Sequence, residues 1–416
     1  MKKTLLTILM SFCLIVFTQS SSLSADTFKI GVVYPLSGAM ALPCQSILTG
    51  HKIAADEIMK AGGFQGKKVE FLVRDDAGNP ELTTRYCREL ITKEKVDWIF
   101  TGYGSAVALA GAAVAKQFKT PTFIFGGKTE KVTTEEWNEY TFRYQVTSTA
   151  EARAAADILG KVMLKDKKNA RVFWIAWDYE YSRSLYGPFV ERLKKIRPDI
   201  RIVGESWTRT GETDYGPFIS YALTTKPDAV ISTIWGGGCV SLLKQGRAMG
   251  LWDQAMLINT AEPASIEYRK AFGKSMPVGA WGNTYDDASW PQNDGQKKFY
   301  KAWYDYTGAN EPPSGMASSG YYITYMVANA IKKAGTTEAL PVVKAMKGMT
   351  IDTYWGTFKI RDFDHQVTSG QIWAPMIEKP GLDYLVLDSS RLIFVPCEKD
   401  LYTKEEWAAI RKAAKK

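Results

Sequence analysis

Residues 97–128, DWIFTGYGSAVALAGAAVAKQFKTPTFIFGGK, constrain the fold more than any other stretch of the chain. Trp98, Ile99 and Phe100 form a short apolar run of the buried-strand kind. Gly102, Gly104 and Ser105 punctuate it, and an Ala-rich helical segment follows over 106–118. A second apolar run at 122–125 ends in Gly126 and Gly127. Strand, loop, helix, strand and loop in that order predict one βαβ unit with glycines at the carboxyl end of each strand. In parallel sheets those ends take ligands, because the next helix presents unpaired N–H groups and a positive dipole end. Gly104–Ser105 and Gly126–Lys128 are therefore expected to form two halves of one small-ligand pocket.

The same alternation extends in both directions. Strands are expected at 28–34, 69–73, 98–100 and 122–125, with helices at 46–60, from Pro80, and at 106–118. Gly62 and Gly63 stop the first of these helices, and Asn79 caps the second. A second series begins after 142–146. Its helices are expected at 151–164, 184–196, 215–223 and 240–249, and its strands at 171–176, 200–207, 229–235 and 256–259. Further elements are expected at 278–283 and 342–347, helices at 296–306 and 318–333, strands at 355–361 and 371–377, and a strand or hairpin within 382–394. Two successive series of similar length predict an α/β protein with two doubly wound parallel-sheet lobes.

The chain opens MKKTLLTILMSFCLIVFTQSSSLSADTF. Two lysines, an apolar run from Leu5 to Phe17 and a Ser-rich stretch form a three-part secretory leader, too short for a comfortable membrane span. Cleavage is expected near residue 25, giving an exported, periplasmic chain. Losing Lys2 and Lys3 takes the formal net charge from +9 to +7. The remaining charges are scattered with no basic block, which argues against nucleic acid as a partner. Cys44, Cys87, Cys239 and Cys397 remain after cleavage; export permits disulfides, and the spacing leaves three full pairings open. Only His51 and His365 exist, so no His-cluster metal site and no other metal is expected.

Enzymatic readings fit poorly. Gly102-x-Gly104 begins like a dinucleotide fingerprint, but its third glycine would fall at Val107. No cofactor is expected. Ser105 lacks the Gly-x-Ser-x-Gly setting of a hydrolase elbow. His51 falls among apolar neighbours and His365 in a polar turn, so both read as structural. The pair Asp75–Asp76 at a strand end reads as loop caps. What remains is binding: a few fixed polar groups and apolar walls. Backbone N–H groups at Gly104 and Ser105, with the Ser105 hydroxyl, suit a carboxylate or carbonyl oxygen. Tyr103, Trp177, Tyr179, Tyr181 and Trp235 fall at strand ends, where an aromatic ring tends to line a cleft.

Five segments resemble the leucine/isoleucine/valine-binding proteins: YPLSG at 34–38, AADEIMKAGGFQGKKVEFLVRDDAGNP at 54–80, TGYGSAVALAGAAVA at 101–115, LLKQGRAMGL at 242–251 and GMASSGYYITYMVANAIKKAG at 315–335. The resemblance covers essentially the whole mature chain. It implies a non-enzymatic, monomeric periplasmic solute receptor that delivers a small carboxylate to ABC permease membrane subunits. It also implies three crossovers between the lobes, expected near 143–147, 278–284 and 354–361. One lobe would then hold 26–145 plus about 282–355, and the other 146–281 plus about 356–416. The resemblance places carboxylate binding at Gly104–Ser105, a backbone contact at Gly126, and aromatic contacts at Tyr181 and Trp235. Glu262 matches an acid that grips a ligand ammonium. Lys128 replaces a threonine; pointing inward, it would favour ligands with extra negative charge, such as aromatic or dicarboxylic acids. Leucine-type ligands lead narrowly over these. An exported ligand sensor serving a membrane kinase or chemoreceptor is the alternative role, and a periplasmic hydrolase would need Ser105 or a histidine for turnover.

Overall fold

The computed structural model describes residues 27–414; the expected leader lies outside the described residues. The chain begins β1 (Thr27–Tyr34), α1 (Ala41–Lys60), β2 (Lys68–Asp75), α2 (Pro80–Thr92), β3 (Trp98–Thr101), α3 (Ser105–Phe118), β4 (Thr122–Ile124) and β5 (Thr141–Arg143). These five strands form one parallel sheet in the order β2-β1-β3-β4-β5. β3 and β4 are buried at every position, as a parallel strand covered by helices on both faces requires. The strand order reverses between β1 and β3, and a crevice opens there at the carboxyl ends of the strands.

The chain then builds α4 (Ser148–Asp157), β6 (Arg171–Trp177), α5 (Glu180–Ile196), β7 (Arg201–Thr208), α6 (Gly216–Thr224) and β8 (Ala229–Ser232). Next come α7 (Gly236–Ala248), α8 (Leu251–Gln254), β9 (Met256–Asn259), α9 (Ile266–Phe272) and β10 (Trp281–Thr284). Helices α10 (Asp294–Thr307), α11 (Ala317–Ala334) and α12 (Ala339–Met346) follow, then the hairpin β11 (Thr350–Thr353) and β12 (Gly356–Lys359). The chain ends with β13 (Gly370–Ile377), β14 (Val386–Leu387), β15 (Ile393–Pro396) and α13 (Lys404–Ala414). The second sheet runs β14-β13-β10-β9-β8-β6-β7, with β15 also paired to β13. Its order reverses between β6 and β8, so a second crevice opens at residues 178–180 and 233–236.

Residues after β10 return to the first lobe through α11, which lies on α1 backbone to backbone. A Cβ at Gly50 would stand 2.0 Å from the Ala317 carbonyl oxygen, and one at Gly320 would stand 2.1 Å from that of Ile47. Glycine at both positions is what allows so close a crossing. Phe299, Val327, Val343 and Phe358 then share one core with Phe28, Phe100 and Phe123.

Several elements differ from the sequence expectation. α1 starts five residues early, because Pro43 falls in its first turn, where a missing N–H costs nothing. α5 starts at Glu180 and α7 at Gly236, each four residues ahead of the expected start. β11, α9 and α13 were not anticipated. The expected lobe boundaries near the second and third crossovers also shift. β10 lies within the second sheet, so the chain crosses after residue 284; the third passage, at 360–369, follows the β11–β12 hairpin. α13, expected with the second lobe, sits on the first: Trp407 Nε1 donates to the Thr133 carbonyl at 2.7 Å, and Arg411 donates to those of Thr134 and Trp137. Its indole and guanidinium groups satisfy loop carbonyls that the sequence gives no means of pairing. All four described cysteines are buried and unpaired. Among the described residues no helix is long and apolar enough to cross a membrane, and no side-chain group could hold a metal ion.

Candidate functional site between the lobes

The two crevices face each other and enclose a cavity of about 90 Å³. Met40, Tyr103, Gly104, Ser105, Gly127, Lys128 and Gln145 line it from the first lobe. Tyr179, Tyr181, Trp235, Ala261, Glu262 and Tyr268 line it from the second. Three helices start on its wall: α3 from Gly104, α5 from Tyr179 and α7 from Trp235, none with a side-chain cap. Uncapped first-turn N–H groups and three positive dipole ends therefore converge on the cavity, an arrangement that attracts an anion. Gly104 adopts φ +111°, which lets the chain turn from β3 into α3 without a side chain over the amides.

The wall of the second lobe is aromatic and internally braced. Trp235 Nε1 donates to the Tyr179 hydroxyl at 2.8 Å, and the Trp177 ring meets Trp235 edge-on at 5.0 Å. Trp177 itself donates to Tyr215 and stands behind the wall. On the first lobe the Tyr103 ring stacks on Phe125 at 5.9 Å. These partners hold the rings in place before any ligand arrives.

Lys128 points inward and is only 6% exposed. Its Nζ lies 2.6 Å from Glu151 Oε1 and 2.6 Å from Glu262 Oε1, so one cation of the first lobe is held between two acids of the second. Burial disfavours its charge, but the two carboxylates outweigh burial and raise the ammonium above its ordinary pKa. Burial raises Glu262, against the pull of Lys128. Asn283 ties the acids together: its Nδ2 donates to Glu151 Oε1 at 2.6 Å, and its Oδ1 accepts the Glu262 backbone N–H at 2.9 Å. Glu151 also accepts from Gln371 Nε2 at 2.9 Å and from the Tyr181 hydroxyl at 2.9 Å. Closer to solvent, Glu180 accepts from Thr129 Oγ1 at 2.7 Å and pairs with Lys131 at 2.9 Å.

Tyr103, Gly104, Ser105, Lys128, Tyr181, Trp235 and Glu262 thus come together on one cavity. Gly126 does not line it. Its N–H is spent on the Gly102 carbonyl at 2.8 Å, which extends the β3–β4 pairing one residue further than expected and moves the exposed turn to Gly127. The ammonium of Lys128 is not free for a second ligand carboxylate, because it is already held by Glu151 and Glu262. Glu151, Met40, Gln145 and Tyr268 escaped the sequence reading. Glu151 looked like any acid in a helix first turn, and Tyr268 lies on an unanticipated helix.

Neither imidazole serves Ser105. His51 is hydrogen-bonded to Tyr34 and Thr324 in the core, where burial drops its pKa to about 3. His365 faces the Thr141 carbonyl, and burial drops it to about 4. Asp75 and Asp76 accept loop amides and the Thr83 hydroxyl, the capping role expected of them.

The family model described as periplasmic binding protein matches residues 27–375. The chain belongs to this family. It is 26% identical over 329 residues to the Leu/Ile/Val-binding protein homolog 8 of Brucella abortus, covering 78% of this chain and 80% of that one. The solute-binding protein of an ABC transporter from Rhodopseudomonas palustris BisB5, solved with 3,4-dihydroxy benzoic acid, is 25% identical at TM-score 0.76, covering 89% of this chain and 98% of that one. An ABC-type branched-chain amino acid transporter structure from Rhodopseudomonas palustris CGA009 shares the fold at TM-score 0.74 and 23% identity, over 91% of this chain and 99% of that one. The family is periplasmic, and these relatives bind solutes rather than transform them.

Proposed function

We propose that the chain captures a small monocarboxylate with an aromatic or branched apolar body between its lobes and delivers it to the membrane subunits of an ABC importer. One observation carries the reading: uncapped helix starts from both lobes and a braced aromatic wall converge on a single interlobe cavity. The ligand carboxylate sits at the first-turn amides of α3 beside the Ser105 hydroxyl, and its body lies against Trp235, Tyr179, Tyr181 and Tyr103. A water needs roughly 10–15 Å³ of such space, so the cavity suits a molecule of roughly six to nine heavy atoms. Benzoate and leucine both fall at the top of that range. The Leu/Ile/Val naming of the Brucella abortus relative supports the same size class, and the aromatic acid in the Rhodopseudomonas palustris BisB5 relative supports the same ligand chemistry.

The moving bodies are residues 27–143 with 285–360 and 404–414, against residues 148–284 with 370–396. Ligand touches both, so it favours the state in which they meet, and a permease that reads the paired rims receives only loaded protein. Calorimetric titration of benzoates and branched-chain carboxylates tests this. Saturable one-to-one binding without product formation is expected, and Trp235→Ala should weaken it by roughly 30-fold, as loss of a central aromatic anchor does. Binding unaffected by Trp235→Ala, or turnover of the ligand, would defeat the proposal.

A further inference from the structure

This inference rests on the carboxylate-capture reading and narrows its ligand class. Glu262 lines the cavity, Glu151 is buried outside its lining, and both face one spot; two buried carboxylates that close need a cation between them. The Lys128 ammonium supplies it at 2.6 Å from each, with the Tyr181 and Tyr285 rings 5.4 Å and 5.8 Å from the same nitrogen.

Lys128 is also fixed at its root. The Ser148 N–H donates to the Lys128 carbonyl at 2.7 Å, and the Thr129 N–H donates to Ser105 Oγ at 3.3 Å. The carbonyls on either side, of Gly127 and Thr129, both accept from one guanidinium nitrogen of buried Arg143. Arg143 in turn donates to Gln366 Oε1 and to Thr133 Oγ1. Four hydrogen bonds from three residues therefore hold the loop that carries the lysine, and the side chain cannot swing aside without breaking a buried ion pair.

We propose that Lys128 is a resident ammonium that fills the acidic seat of the pocket, so that the chain selects carboxylates without an amino group over the corresponding amino acids. An incoming ligand ammonium cannot take the place between the two acids that Lys128 occupies. It must share Glu262 with Lys128, or remain in the aromatic part of the cavity without a charged partner. A ligand lacking the amine meets neither difficulty, and its carboxylate still finds the α3 amides.

The test uses matched pairs that differ only in the amine and fit the cavity: isocaproate against leucine, and isovalerate against valine, titrated calorimetrically into the full mature chain. The wild type should bind the amine-free member of each pair at least about tenfold more tightly, the factor expected when a buried charged donor goes unpaired. Lys128→Met should close that gap or invert it, because the ligand amine then takes the vacated seat. The double variant Lys128→Met, Glu262→Gln serves the same comparison with one acid removed, should two unpaired glutamates prevent folding. Leucine and valine binding the wild type as tightly as their partners would overturn the inference and leave carboxylate capture standing. An equal loss for all four compounds in both variants would also overturn it, reducing Lys128 to a structural residue. Failure of all four to bind the wild type while benzoate binds would overturn the inference alone, and failure of benzoate as well would remove the capture reading with it.

Discussion

The two lobes build the same cavity from different materials. The first offers main chain, the amides that open α3 and the turn at Gly127, beside the side chains of Met40, Tyr103, Ser105, Lys128 and Gln145. The second offers mainly side chains: four rings and the carboxylate of Glu262, with Glu151 and Asn283 behind it. A wall of amides is set by the path of the backbone and tolerates sequence change; a wall of rings and charges is rewritten by single substitutions. Backbone and side-chain contributions are therefore unevenly divided between the halves of one fold.

That contrast predicts a steep order of effects. Glu151→Leu strikes the second lobe hardest, because it takes a charged acceptor from Lys128, Asn283, Gln371 and Tyr181 at once. Lys128 keeps Glu262, but a buried donor left without its acceptor costs about 1–3 kcal/mol, so the urea midpoint should fall. A loss under about 1 kcal/mol would mean that the acids contribute little to holding the lobes.

A pH dependence comes next, again from the second lobe. Glu267 on α9 has both carboxyl oxygens buried, and burial pushes its pKa from 4.5 up to about 7. Between those values the folded chain holds a proton that the unfolded chain has released, so this contribution to stability falls as pH rises through the window and is gone above about 7. Urea midpoints at about pH 5 and about pH 8 should therefore differ less in Glu267→Gln than in the wild type. Equal differences would clear Glu267 of that role.

The smallest effect belongs to the first lobe. Ser105→Ala keeps the α3 amides and removes one hydroxyl, which accepts the Thr129 N–H at 3.3 Å. A cost of about 0.5–1.5 kcal/mol in affinity is expected, measured by the same titrations. A hundredfold loss would show that the side chain, not the backbone, carries the first lobe's share.

The sequence made the first lobe's contribution legible and hid much of the second's. Glycines after β3 and β4 announced a turn where amides would be bare, and Gly104 and Ser105 lie on the cavity as read. The register slipped by one at Gly126, because β-pairing ran past the apolar residues that defined the strand. Tyr181 and Trp235 could be found, since both follow strands that flank the reversal in strand order. Glu151 could not: it carries no mark beyond being an acid in a first turn, and its partners at 128, 283 and 371 are brought in by three separate crossings of the chain. The inward course of Lys128 was equally hidden, for the same reason.

Arg143 has a consequence for how such a molecule can flex. It joins the end of β5 to Gln366 on the third crossing and to both carbonyls beside Lys128. Two of the three connecting strips are thereby bolted to the first jaw, and the bend must be taken up beyond them, on the side of α4 and β13. A distance probe placed on the 127–129 loop would accordingly report the full swing of the opposite jaw, undiluted by local give.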